Sequence, residues 1–241
     1  MTMYRCLAAT ATAALLCAGV GANAGAQSTL RTRFGMLAGV SLSSITNTGV
    51  TGLDRVPGVR IESKRRVGFQ LGAYFTHRLS NQLSIQPELQ FAQKGMRIEF
   101  FSAGGSGTPR PSGSIDVRLA YVELPVLLRY DLTRTALRPF LVAGPAIAIR
   151  AGCRFGVDSG EGISSDQTCD PDMGNTTPED DDPLKKFDAG GIIGIGLQGN
   201  DAGRTISAQL RYSRGFVTIA KDAGDQRPRN AGISVIFGIG F

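Results

Sequence analysis

Seven stretches of this chain alternate large apolar residues with small or polar ones at period 2, glycine recurs on the second face, and an eighth stretch is apolar on both faces. Phe34, Met36, Ala38, Val40 and Leu42 alternate with Gly35, Leu37, Gly39, Ser41 and Ser43. Val67, Phe69, Leu71, Ala73 and Phe75 alternate with Gly68, Gln70, Gly72, Tyr74 and Thr76. The same rhythm runs through 83–92, 122–130, 187–198, 205–213 and 231–241, while 138–150 is apolar on both faces and ambiguous in orientation. Period 2 means strands, with one face of each bulky and apolar. A soluble sandwich would bury that face and show water a charged one. Here the second face carries glycine and few charges, which makes a poor solvent face and a good lining for a narrow, closed sheet. The bulky face is then left to meet lipid. Each run supplies the roughly 9–11 residues that a tilted membrane strand needs, and closure removes the open edges that lipid cannot satisfy.

The connections support the same architecture. Turns near 78–82, 131–137 and 199–204 are short, whereas 45–65, 101–114, 151–186 and 217–229 are long. Three short turns and four long loops on an even strand count predict an all-β, eight-stranded, antiparallel up-and-down transmembrane β-barrel. No run of 18 apolar residues follows residue 26, so a helical membrane protein is not expected.

Residues 1–26 read as a cleavable signal peptide. Arg5 precedes the apolar stretch Cys6–Val20, and Ala24-Gly25-Ala26 supplies small residues for cleavage. The barrel domain is then 27–241, in a bacterial outer membrane. Export leaves Cys153 and Cys169 in an oxidising compartment, where a disulfide is the default. Metal ligation by this pair lacks further Cys or His nearby, and no metal or cofactor is expected.

With the first strand running outward from the periplasm, Phe34, Phe75, Tyr130, Phe140 and Phe241 fall near the periplasmic boundary. Tyr121, Phe187 and Phe216 fall near the outer one, as two aromatic girdles would require. The formal charge is +6, but its distribution does not suggest nucleic acid. Segment 151–186 carries nine acids against three bases, so the basic excess lies elsewhere. Arg60, Lys64, Arg65, Arg66, Lys94, Arg97, Arg150, Arg214, Lys221, Arg227 and Arg229 cluster at strand ends and outer loops, where they could meet the phosphates of outer-membrane lipid and lipopolysaccharide.

The inward face offers Glu88, Glu123, Arg129, Asp188 and Arg211, with Gln86, Gln90, Gln198 and Gln209. Two glutamates could form an acid/base pair. An interior just wide enough for side chains instead favours a plug of paired charges, which argues against a small-solute channel. His77, the only histidine, lies near a periplasmic end and reads as interfacial. A membrane-embedded lipid-modifying enzyme is the alternative that His77 or Glu123 would serve. The run Gly190–Gly196 has no helix after it and reads as strand rather than a phosphate loop. The acids of 151–186 could bind a divalent cation or a basic partner, but they lack an EF-hand spacing and suit a solvated loop.

Four phrases resemble the PorT-like family of small outer-membrane β-barrel proteins: IQPELQFAQKGM (85–96), YVELPVLLRYDL (121–132), RPFLVAGPAIAI (138–149) and FDAGGIIGIGLQ (187–198). With the last strand they span nearly the whole mature chain. The resemblance implies a barrel without an assigned biochemical role, in which some relatives are linked to protein secretion. The final strand, with Phe237, Ile239 and the terminal Phe241 on one face, also resembles the signal by which the outer-membrane assembly machinery recognises its substrates. The expected role is structural, or interaction with a protein partner through the outer loops.

Overall fold

The computed structural model describes residues 32–47, 59–102, 111–159, 164–168, 184–201, 203–221 and 227–241. The expected signal peptide lies outside them. Among the described residues nine strands follow one another: β1 Thr32–Thr46, β2 Val59–Arg78, β3 Leu83–Ser102, β4 Pro111–Asp131, β5 Leu137–Asp158, β6 Ser164–Thr168, β7 Phe187–Asp201, β8 Arg204–Gly215 and β9 Arg229–Gly240. Eight of them close a ring in the order β1-β2-β3-β4-β5-β7-β8-β9, with every neighbour antiparallel and β9 returning to β1. The expected eight-stranded meander is therefore present. The ninth strand, β6, pairs only with the far end of β5, outside the ring.

The short connections are 79–82, 132–136 and 202–203. In the first, the amides of Leu79 and Ser80 both donate to Leu83 O at 2.9 Å. Ser80 Oγ accepts from the amides of Gln82 and Leu83, a serine side chain standing in for a missing backbone partner.

Around the ring the alternation resolves as expected. Phe34, Met36, Val40 and Leu42 are exposed, as are Val67, Phe69, Leu71 and Phe75, while Leu37, Ser41, Gln70 and Tyr74 are buried. Nine residues from Phe34 to Leu42 rise about 3.3 Å each. Tilted by about 40°, they span roughly 20–25 Å, the height of an outer-membrane apolar band.

Glycine makes room for inward rings. A Cβ on Gly196 would lie 2.4 Å from Phe140 Cζ, and one on Gly35 would lie 2.4 Å from Tyr74 Cζ. The glycine face thus permits two aromatic side chains inside a barrel otherwise too narrow for them.

Beyond the apolar band, β2–β5 continue as an outer sheet, and their polarity inverts. Within the band, the barrel-facing side of β4 carries Tyr121, Glu123 and Arg129, and the outward side carries Val122, Leu124, Val126 and Leu128. Further out, the barrel-facing side carries Leu119, Val117 and Ile115, and the outward side carries Arg118, Asp116 and Ser114. The register extends this across the sheet. Met96, Val117 and Phe155 share the inner row, and Lys64, Arg97, Asp116 and Asp166 share the outer one. Two register irregularities lie at this change of polarity, one in β2 between Arg65 and Gln70 and one between Ala120 and Tyr121 opposite β5. Gly95 sits at this level with φ +148°, and a Cβ there would lie 2.0 Å from Val117 O; glycine tolerates that conformation. An apolar exterior that turns polar along one continuous strand is the imprint of a lipid–water boundary.

Three expectations are corrected. Phe140 is fully buried and Tyr121 nearly so; both point into the barrel and belong to no girdle. Phe34, Phe75, Tyr130, Phe187, Phe216 and Phe241 do face outward. Segment 151–186 is not one solvated loop, because β5 runs to Asp158 and pairs with β6. Likewise 59–65 and 111–114 are strand. The acids Asp170, Asp172 and Glu179–Asp182, on which a cation site was considered, lie outside the described residues.

Candidate functional site: the filled lumen and its outer rim

The inward polar residues form three layers. At the short-turn end, Arg129 of β4 donates from Nε to Asp131 Oδ1 at 3.0 Å and from Nη2 to Gln198 Oε1 of β7. Its guanidinium carbon lies over the Phe140 ring, 3.6 Å from the centroid. This explains why Phe140 is inside: the ring fills space and covers a cation. A void of about 40 Å³ remains between Tyr74, Arg129, Asp131 and Gln198.

The middle layer is built on β3 and β8. Glu88 accepts from Arg211 Nη1 and Nη2, each at 2.7 Å, and from Gln86 Nε2 at 2.6 Å. Arg211 also donates from Nε and Nη2 to Gln209 Oε1. Both charged side chains are almost completely buried, at 2% and 0% exposure. Their pairing and shared glutamines supply the partners without which such burial would be costly.

Toward the loop end, Lys94 Nζ lies 2.5 Å from Glu123 Oε1, and Gln90 Nε2 donates to Glu123 Oε2 at 3.4 Å. Asn230 of β9 donates to Asp188 Oδ2 at 2.7 Å and to Tyr121 Oη at 3.2 Å. Lys94, expected among the lipid-facing bases, thus points into the barrel. Only about 20 Å³ is left beside Lys94, Glu123 and Asp188.

Above this layer the mouth is closed by apolar residues. Ile45, Met96, Leu119, Tyr121, Ala148 and Ile219 pack together, with Leu184 and Cys153 against them. Ile219 is carried there by the connection 216–221. That connection bridges to 184–186 through Lys185 N to Ile219 O at 2.7 Å, and Ile219 N donates to Pro228 O at 2.9 Å.

All five inward residues singled out from the sequence, Glu88, Glu123, Arg129, Asp188 and Arg211, are buried in the lumen. They do not converge: each charge meets a partner in its own layer. Asp131, Lys94 and Asn230 were missed, although Lys94 shares parity with Gln90 and Ala92. His77 stands apart at the short-turn end, where Nδ1 lies 3.0 Å from Thr32 Oγ1, far along β2 from Glu123. Among the described residues, no cluster of three or more His, Cys, Asp or Glu side chains could hold a metal ion. Cys153 packs against the apolar cap, and Cys169 lies outside the described residues.

On the terminal strand, Ile233, Val235, Phe237 and Phe241 face outward, and β9 pairs with both β8 and β1. Phe241 N donates to Phe34 O at 2.8 Å, so hydrogen bonding continues to the last residue.

A closed eight-stranded meander with an apolar exterior, a side-chain-filled interior and a polar outer sheet defines a small β-barrel of the bacterial outer membrane. Residues 25–221 match the family model described as outer membrane protein beta-barrel domain, and the chain belongs to that family. Among solved structures it is similar to Neisserial surface protein A (14% identity, TM-score 0.43, covering 86% of this chain and 97% of that one). It is also similar to Ail of Yersinia pestis in complex with sucrose octasulfate (11%, 0.37, 88% and 100%) and to OprG of Pseudomonas aeruginosa (12%, 0.37, 87% and 94%). No match was found among curated proteins.

Proposed function

We propose that this protein is a non-conducting outer-membrane barrel whose role is structural or interactive, and that its working surface is the outer sheet and the loops it carries. The observation behind this reading is the lumen itself. Paired charges occupy three layers, and an apolar cluster seals the mouth above them. Among the described residues the cavities beside these layers hold only about 20 and 40 Å³, and neither is a substrate-sized cavity. A lipid-modifying enzyme would need such a cavity near His77 or Glu123, and Glu123 is engaged by Lys94 and Gln90.

On this reading the protein is PorT-like, exported by residues 1–26 and non-enzymatic. It meets the assembly machinery through Phe237, Ile239 and Phe241 and offers its outer loops to a protein partner. Its bases contact lipopolysaccharide, and nucleic acid has no part. Cys153 and Cys169 form a disulfide. Arg154 pairs with Thr168 in the β5–β6 ladder, and these two residues are the chain neighbours of the two cysteines.

Planar-bilayer recording on the refolded protein tests the central point. The expected result is no stable conductance step; large, persistent channels would overturn the reading.

A further inference from the structure

Just beyond the apolar band, the outward faces of β3, β4 and β5 change character over two rows. The row Phe91, Val122 and Ile149 faces lipid. The next is Gln93, Ala120 and Gly152, and its two small residues leave a depression beside Gln93. The row above it brings Arg118 and Arg154 directly opposite each other, with Thr168 beyond them on β6. Arg66 of β2 completes the wall. These residues line an open cleft of about 500 Å³.

The charges are unbalanced. Asp116 is shared by Arg66, at 2.9 Å from Nε, and Arg118, at 3.1 Å from Nε. Arg118 Nη1 has a second, exposed acid, Asp166, at 3.5 Å. Among the described residues Arg154 has no ion-pair partner. Like charges directly opposite on an antiparallel pair repel, and an anion between them relieves the repulsion. From Val122 to Arg118 is four residues, about 13 Å along the strand and roughly 10 Å along the membrane normal at a tilt of about 40°. That is the depth of the headgroup region just outside the hydrocarbon core.

We propose that this cleft is a binding site for the phosphate headgroup of an outer-leaflet lipid. Arg118 and Arg154 clamp the phosphate from the strand pair, Arg66 closes one side, and the Ala120–Gly152 floor admits the headgroup against the backbone. Planar guanidinium forks suit a phosphate better than point charges do. The lipid's acyl chains continue down the Phe91–Val122–Ile149 row. The proposal deepens the lipid contact named above and rests on that reading.

The test is native mass spectrometry of the full mature chain in detergent, titrated with bis-phosphorylated lipid A, dephosphorylated lipid A or inorganic phosphate. Phosphorylated lipid A should be retained about tenfold more tightly than the dephosphorylated form. Arg118→Gln with Arg154→Gln should abolish that preference while heat-modifiable migration stays intact. Asp166→Asn, which removes an exposed competing acid, should tighten retention about twofold. Equal retention of both lipid forms, or an unchanged preference in the double variant, would overturn the site. Inorganic phosphate competing as well as lipid would overturn the lipid as its occupant. Bilayer conductance is read separately, so failure here leaves the non-conducting reading standing, and channels there would not rescue this site.

Discussion

Arg211 grips Glu88 across the lumen through two parallel hydrogen bonds, Nη1 to Oε2 and Nη2 to Oε1, both 2.7 Å long. The residues lie on β8 and β3, 123 positions apart, on opposite walls. The pair therefore ties strands that are not neighbours in the sheet, and it does so with charges that have little water around them.

Removing one partner leaves the other charged and buried. Glu88→Ala or Arg211→Ala is expected to lower stability by about 3–5 kcal/mol, read as the midpoint of denaturant unfolding from lipid vesicles. The pairwise replacement Glu88→Leu with Arg211→Met should cost clearly less than the two single changes summed. Additive costs would mean the two side chains are not coupled.

The fit between Gly196 and Phe140 predicts a size-dependent defect. Gly196→Ala places a methyl 2.4 Å from Phe140 Cζ and should cost about 1–3 kcal/mol through overpacking. Phe140→Leu in the same chain should recover part of that loss, although alone it is destabilising. A Gly196→Ala barrel as stable as the parent would show that the ring has another place to go.

The last residue separates assembly from stability. Phe241 contributes one backbone hydrogen bond to Phe34 and an exposed ring. Phe241→Ser should change unfolding in vesicles by no more than about 1 kcal/mol. In cells, the same change should markedly reduce the heat-modifiable protein recovered in outer-membrane fractions. Equal recovery would contradict the proposed part of Phe241 in assembly.

A Cys153–Cys169 bridge closes a loop of about 17 residues, which is worth on the order of 3 kcal/mol against an open chain. Its effect belongs to the outer hairpin and not to the ring, because β5 and β6 pair outside the barrel. Cys153→Ser should speed proteolytic nicking between β5 and β7 while heat-modifiable migration persists. Unchanged nicking would argue against the bridge.

The ring was legible because Phe34, Val67 or Val122 each begin a run whose two faces differ in size more than in charge, and only lipid outside and close packing inside suit that pattern. The position of Phe140 was not legible. Segment 138–150 is apolar on both faces, so parity had no polar marker, and the ring was placed by its distance from a strand end. Tyr121 could have been placed correctly, since it shares parity with Glu123. The outer sheet escaped for a different reason. A search for apolar residues on the outward face stops at Val122, although the strand continues through Arg118 and Asp116 with the polarity of its two faces exchanged. The partners of the inward charges escaped as well, because pairing across the lumen, as between Arg211 and Glu88, joins residues that no local pattern relates.

That exchange of polarity is the central claim, and depth-resolved spin labelling along β4 tests it most directly. Nitroxides placed singly from residue 114 to residue 128 report relaxation by oxygen, which favours lipid, and by a water-soluble nickel chelate. Labels at Val122, Val126 and Leu128 should respond to oxygen, and labels at Asp116 and Arg118 to the chelate. The alternate positions Val117 and Leu119 should be shielded from both. Oxygen-dominated relaxation continuing through Arg118 and Asp116, or chelate access at Val126, would contradict the account.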